Sequence, residues 1–213
     1  MNIKGLRFLF MNALNSKTLF FLGSSVTYGS DGVSFVDFIA ERNNCTCIKA
    51  AVSGTTLADN GSTSYVKRLH KDLDPKRKCD HFICQLSTND ASQGVPLGKI
   101  SETKDINTFD TTTIIGAIEY IISYAYKTWK CPISFYTGTY FESKKYQDMV
   151  DILYKLKEKW NIGIIDLWNN EEMRKVAPDD YKKYMVNPIH PALEGYKEWW
   201  TPVFEEYLNT YHK

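Results

Sequence analysis

Apolar and polar positions run along this chain in two rhythms. Short apolar blocks, at Thr18 to Gly23, Thr46 to Val52, His81 to Leu86, Ile133 to Thr137 and Ile162 to Leu167, are each bounded by turn residues or polar punctuation and read as five strands. Longer segments between and after them, Ser34 to Arg42, Ser64 to Leu73, Thr111 to Trp129, Ser143 to Trp160 and Pro191 to Leu208, carry helical spacing. In the third of these Ile114, Ile118, Ile121, Ile122 and Ala125 share a stripe, and in the fourth Met149, Ile152, Leu153, Leu156 and Trp160 do so. Asp110 and Ser143 suit the N-cap positions of those two helices.

Strands that are apolar on both faces, separated by amphipathic helices, call for a parallel sheet covered on both sides. The expected fold class is therefore α/β, a three-layer αβα sandwich around a central five-stranded parallel sheet. In such sheets ligands collect at the carboxyl ends of the strands, where the connecting loops converge.

With 213 residues and no linker, repeat or low-complexity tract, the chain is expected to form a single domain, 1–213, with 1–16 as an N-terminal extension. The long connection Thr88 to Asp110, with Gly94, Pro96 and Gly98, is either a lid or substrate loop or an ordered surface excursion. Twenty-six basic residues against 25 acidic ones leave no long-range field to draw in nucleic acid or an anionic membrane. The basic stretch Lys67 to Lys78, interleaved with Asp72 and Asp74, reads as a solvated helix face and turn. Five cysteines, an odd number lying in or beside apolar runs, fit reduced thiols in a cytoplasmic protein. Cys45 and Cys47 fall on one face of a strand but have no histidine at ligand spacing, so no metal site is expected. Met1 to Lys17 lacks the pattern of a secretory signal, and the apolar stretch Thr113 to Tyr126 is interrupted by Glu119 and too short to span a bilayer. Without a glycine-rich phosphate loop, no nucleotide cofactor is indicated. Neither nucleic acid nor membrane is an expected partner, and the sequence does not speak to oligomeric state.

The candidate chemistry lies where the strands end. The first strand runs into Gly23-Ser24-Ser25, the second into Ser53-Gly54-Thr55 and the third into Ser87-Thr88-Asn89-Asp90, while Asn187-Pro188-Ile189-His190-Pro191 precedes the last helix. In a parallel sheet the first three emerge on one edge, and a loop after the fifth strand can return a histidine to it. A hydroxyl, a backbone N–H next to glycine, an amide and an imidazole are the groups that acyl transfer requires. Each also has an ordinary use: a serine can cap the helix near Ser34, Gly54 can serve a positive-φ turn, and Asn89 can close an Asx turn.

Taken in order, FLGSSVTYG, AVSGTT, QLSTND and NPIHP resemble the four signature blocks of the SGNH, or GDSL-type, hydrolases. The resemblance covers the chain from about Thr18 to the final helix and implies a flavodoxin-like fold and carboxylic-ester hydrolysis without a cofactor. It implies Ser25 as nucleophile, with Ser24 where the family usually has aspartate, and His190 as general base. It also implies an oxyanion hole formed by the Ser25 and Gly54 N–H groups and the Asn89 side-chain amide. The implied substrate is a small-molecule or carbohydrate ester, of short acyl groups and in several branches of acetylated sugars. Tyr136, Tyr140 and Phe141 after the fourth strand either flank the cleft as sugar platforms or belong to core and rim, and of Trp199 and Trp200 at least one is expected to pack inside.

One position departs from the family: three residues before the histidine, where aspartate is usual, stands Asn187. In a serine protease the corresponding exchange lowers turnover about ten-thousandfold, because the amide favours the wrong imidazole tautomer. Three explanations stay open here. Asn187 presents its carbonyl oxygen and orients a Ser25–His190 pair; another acceptor replaces the aspartate; or the protein is weakened and works as a ligand-binding module on the hydrolase scaffold. A flavodoxin-like cofactor protein is the more distant rival, and the SSVTYG turn suits phosphate poorly.

Overall fold

The computed structural model of the chain describes residues 12–212. Most of the expected extension, and much of the segment read for a secretory signal, lies outside the described residues. Its last residues are tied to the domain, with Leu14 fully buried and the Ala13 N–H bonded to Asn209 Oδ1.

Five strands form one wholly parallel sheet in the order β2-β1-β3-β4-β5: β1 (Thr18–Gly23), β2 (Thr46–Ala51), β3 (His81–Gln85), β4 (Ile133–Tyr136) and β5 (Gly163–Ile165). All five lie within the expected apolar blocks. Strand alternation divides the sheet between two cores. Phe20, Leu22, Phe82, Cys84, Ile133 and Phe135 face one layer of helices, while Leu19, Phe21, Ile83, Tyr136 and Ile165 face the other. Each of these large buried apolar side chains contributes roughly 1.5–3 kcal/mol by leaving water. This makes the three-layer αβα sandwich expected from the pattern.

The helices are α1 (Ser25–Tyr28), α2 (Phe35–Asn43), α3 (Tyr65–Lys71), α4 (Thr88–Ser92), α5 (Ile114–Trp129), α6 (Lys144–Trp160), α7 (Glu171–Arg174), α8 (Pro178–Tyr184) and α9 (Thr201–Tyr211). The first core takes its helical side from α3, α5 and α6, the second from α2 and α9. Side-chain caps fix most starts: Ser34 and Asp37 form a reciprocal capping box on α2, and Ser64, Thr113 and Ser143 accept N–H bonds at the starts of α3, α5 and α6.

Several expectations need correction. Asp110 does not cap α5, since its carboxylate closes a turn onto the Thr112 N–H and hydroxyl, and Thr113 caps the helix instead. The closing helix does not begin at Pro191, which pairs with Met185 in an isolated bridge while Ala192 N–H bonds to Tyr184 O. Helical structure there begins at Leu193 and runs through a wide π segment, Gly195–Trp200, into α9. Pro202, early in α9, has no N–H to give back, and the Thr201 hydroxyl bonds to Tyr196 O beside it. The Lys67 to Lys78 stretch is not uniformly solvated, because Arg68 is 2% exposed. Two other readings hold: Tyr136 takes the core alternative, and Trp200 is the closing-helix tryptophan that packs inside.

The long connection from Thr88 is an ordered excursion. It begins as α4, and beyond it Pro96 O and Leu97 O accept from the Ile114 and Ile115 N–H groups. Ser101 N–H bonds to Glu119 Oε2, and Lys159 Nζ to Thr103 O, so the segment is fastened to α5 and α6. The cysteines are free thiols, with Cys45 and Cys47 Sγ 3.8 Å apart on the same side. Among the described residues no helix is long and apolar enough to cross a membrane.

Candidate active site

With β1 between β2 and β3, the three strands whose carboxyl ends carry Ser25, Gly54 and Asn89 are neighbours. The turn after β1 is the most constrained of these ends. Gly23 is required there by contact: a Cβ would stand 1.7 Å from Thr27 Oγ1 and 2.8 Å from Gln85 Oε1. The Gln85 carbonyl oxygen, from β3, accepts from Ser24 N–H at 2.8 Å, Ser24 Oγ at 3.3 Å and Thr27 Oγ1 at 2.8 Å. Thr27 Oγ1 also meets Tyr136 OH from β4. Ser24 is therefore wholly buried and spent on the turn, while Ser25 stands half-buried at the first residue of α1. Neither serine caps α2, whose own cap is Ser34.

Ser25 Oγ lies 2.8 Å from His190 Nε2. The imidazole comes from the loop between α8 and the π turn, closed by Val186 N–H to His190 O at 2.9 Å. Asn187 Oδ1 sits 3.0 Å from His190 Nδ1. The same oxygen accepts from the Ile189 N–H at 3.0 Å and the His190 N–H at 2.9 Å. Backbone N–H groups are donors only, so they select the oxygen end of the amide. Nδ1 facing an acceptor must carry the proton, which leaves Nε2 with its lone pair toward the Ser25 hydroxyl. The tautomer problem posed by asparagine in place of aspartate is thus answered by the loop itself. What the amide cannot supply is negative charge. Burial holds the His190 pKa below its ordinary 6.5, disfavouring the imidazolium. Glu142 and His190 line one cavity, yet among the described residues Asn187 is the hydrogen-bond partner of Nδ1.

Around Ser25 the groups expected for an oxyanion site are placed as follows. Among the described residues neither the Ser25 nor the Gly54 N–H has a hydrogen-bond partner. Gly54 has φ +78°, and the space where a Cβ would stand is open. Asn89, the second residue of α4, gives its N–H to the Ser87 cap and donates one Nδ2 hydrogen to Thr55 O at 3.0 Å, leaving the other. Asp90, next to it, is buried and accepts from the Leu57 and Ala58 N–H groups, which locks α4 to the loop after Gly54. Burial raises the Asp90 pKa, and the two N–H bonds oppose that.

Two cavities flank the turn after β4. One, of about 530 Å³, is lined by Phe141, Glu142, Asn187, Pro188, Ile189 and His190. The other, of about 450 Å³, has Thr139, Tyr140, Arg174, Tyr181 and Trp199 in its wall. Of the aromatic residues singled out after the fourth strand, Tyr140 and Phe141 border these spaces, with the Arg174 guanidinium 4.4 Å over the Tyr140 ring. Gln85 and Asp90, which bond to the turns beside Ser25 and Gly54, and the buried Arg68, which donates to Gly23 O, are polar groups that the sequence pattern does not mark. Gln85 and Arg68 sit inside segments read respectively as an apolar strand and a solvated face. Asp90 falls within the QLSTND block and carried no separate signal.

No protein-family model matches the chain, and no curated protein matches its sequence. Solved structures do. A Lactobacillus plantarum protein shares 18% identity over 92% of this chain and 96% of its own, with TM-score 0.72. A protein assigned to the GDSL-like lipases from Bacteroides ovatus shares 16% identity over 92% and 99%, with TM-score 0.67. An acetyl xylan esterase shares 14% identity over 90% and 98%, with TM-score 0.64. The five-stranded parallel sheet with its two helical layers is the fold of the SGNH/GDSL hydrolases.

Proposed function

We propose that the chain is a serine-dependent carboxylic ester hydrolase, with Ser25 as nucleophile, His190 as general base and acid, and Asn187 as the residue that orients the imidazole. The observation that carries this reading is the 2.8 Å contact of Ser25 Oγ with His190 Nε2, on an imidazole whose Nδ1 faces the Asn187 carbonyl oxygen. The lipolytic and acetyl xylan esterase descriptions of the structural neighbours agree with it.

In the proposed reaction Nε2 takes the Ser25 proton as Oγ attacks the ester carbonyl carbon. The negative oxygen that forms accepts from the Ser25 and Gly54 N–H groups and from Asn89 Nδ2. Collapse breaks the carbonyl carbon–alkoxide bond, and the imidazolium gives its proton to the departing alcohol. Water then attacks the Ser25 acyl ester with its proton passing to Nε2. The second collapse releases the carboxylic acid and returns the proton to Oγ. Small acyl groups, including acetyl on a carbohydrate, suit the cavity that His190 lines, and the other cavity, with the exposed Tyr140 ring and Trp199 in its wall, offers aromatic surface for a sugar.

Initial rates on p-nitrophenyl acetate, butyrate and octanoate test the reading. Wild-type turnover that falls with acyl length and disappears in Ser25→Ala is the expected result, and equal rates for wild type and Ser25→Ala overturn it. The uncharged Asn187 supports a second reading, a catalytically weakened module that binds acylated ligands in the same cleft. Saturable binding of acetylated oligosaccharide without turnover is its signature.

A further inference from the structure

Arg68 lies outside the Ser25–His190–Asn187 group, and its setting is unusual for a cation. It is 2% exposed, and no carboxylate forms a salt bridge with it among the described residues. Its partners are neutral oxygens. Nη2 donates to Gly23 O at 2.7 Å and Thr55 Oγ1 at 3.1 Å, Nη1 to Ala50 O at 2.6 Å, and Nε to Thr63 O at 2.9 Å. The guanidinium carbon stands 5.1 Å from the centre of the Tyr65 ring. Burying an unpaired charge is a poor way to gain stability, because a well-packed apolar side chain fills such a space without the desolvation penalty.

What three of the four acceptors share is their place, the fourth, Thr63 O, lying just before the helix of Arg68 itself. Gly23 ends β1 two residues before Ser25, Ala50 is in the adjoining β2, and Thr55 directly follows Gly54. The Thr55 carbonyl in turn receives Asn89 Nδ2. One rigid, planar group thus reaches the supports of all three oxyanion donors. We propose that Arg68 is a positioning residue for the oxyanion site, holding the Gly54–Thr55 turn in register with the end of β1 so that the donors converge on one oxygen. The inference rests on the ester-hydrolase reading above. Donors of this kind act on the oxygen of the tetrahedral intermediate rather than on the ground-state carbonyl, so their misplacement lowers kcat and leaves KM nearly alone. A lysine keeps the charge but has one nitrogen, which cannot span these acceptors in the same geometry.

Arg68→Lys, Thr55→Val and Thr55→Ser test this, with wild type and Ser25→Ala alongside. The readouts are kcat and KM on p-nitrophenyl acetate and inhibition by phenylboronic acid, which forms a tetrahedral adduct on a serine. Circular dichroism and thermal melting report folding. The expected result is a kcat loss of about a hundredfold in Arg68→Lys. Thr55→Val, which loses the hydroxyl that also bonds to Val52 O, is expected to lose about tenfold, and Thr55→Ser to restore it. KM should stay within about twofold, and the boronate should weaken in parallel with kcat. Should Arg68→Lys fail to fold, the Thr55 pair decides. Folded Thr55→Val with wild-type kcat and boronate affinity, or a loss confined to KM, overturns the role of Arg68 while wild type still exceeds Ser25→Ala. Equality of wild type and Ser25→Ala overturns the ester-hydrolase reading itself, and this inference with it.

Discussion

The turn that carries Ser25 and the loop that carries His190 meet at 2.8 Å, yet the chain holds them by opposite means. Around Ser25 the restraints come from afar in sequence: Gln85 on β3, Tyr136 on β4 and Arg68 on α3 all bond to residues 23–27 from within the core. Around His190 they are local. Val186, Asn187 and Pro188 are exposed, and the loop closes on itself through Val186 N–H, Ala192 N–H and the three donors gathered by Asn187 Oδ1. The position of Ser25 is therefore a property of the sheet, and the position of His190 is a property of its own loop and the Asn187 side chain. Substitutions in the first region should cost stability and activity together, and those in the second should cost activity alone.

The sharpest way to break this contrast is Gly23→Ala. Its Cβ has no room beside Thr27 Oγ1, so the turn must shift. We expect ester turnover to fall by more than about a thousandfold and the fold to lose roughly 1–3 kcal/mol, read by urea denaturation. A stable, active Gly23→Ala would show that the turn is looser than described. Asn187→Ala is its counterpart in the loop. It removes the acceptor that fixes the imidazole tautomer, and turnover should fall about a thousandfold. Stability should change by only about 1 kcal/mol, as for loss of an exposed cap. Equal stability losses in the two variants would erase the distinction.

Asn89→Ala comes next, removing the side-chain donor at the head of α4. A rate loss of about 10²–10³ in kcat, or roughly 3–4 kcal/mol in the barrier, is expected with KM little changed. If Asn89 serves only the turn, kcat will stay near wild type.

The smallest effect is the most specific. Asn187→Asp keeps an oxygen toward the Ile189 and His190 N–H groups and adds the missing charge. A charged hydrogen bond exceeds a neutral one by about 1.4 kcal/mol, so turnover should rise about tenfold. The pH profile moves with it. Only neutral imidazole can accept the Ser25 proton, and burial holds the His190 pKa below 6.5, so the wild-type acid limb of kcat/KM should fall below pH 6.5. A carboxylate at 187 stabilises the imidazolium and raises that pKa, which shifts the acid limb to higher pH. An unshifted limb would mean that residue 187 does not govern the base.

The fold was legible because the strands inside the sheet are mostly apolar and buried and each long helix carries a stripe, so period and length separate them. The three strand-end segments and the Asn187–Pro191 loop were legible because their chemistry is concentrated in a few adjacent residues. The support beneath them was not. Arg68 lies in a run of basic residues that reads as solvent-facing, and only the carbonyls of Gly23 and Ala50, brought together by β-pairing, show why it is inside. Gln85 sits inside an apolar block and gives no separate signal. The direction of the Asn187 amide was undetermined for a similar reason. Two backbone N–H groups two and three residues along choose its oxygen, and those depend on the loop's path, not on residue type.

The central claim is that His190 activates Ser25. Treatment with a fluorophosphonate, followed by intact-mass measurement and peptide mapping, tests it most directly in wild type and in His190→Ala. The account predicts one adduct, on Ser25, formed rapidly in wild type and slowed by at least about a hundredfold in His190→Ala. An adduct on another residue, or labelling of Ser25 at the same rate in both proteins, would contradict it.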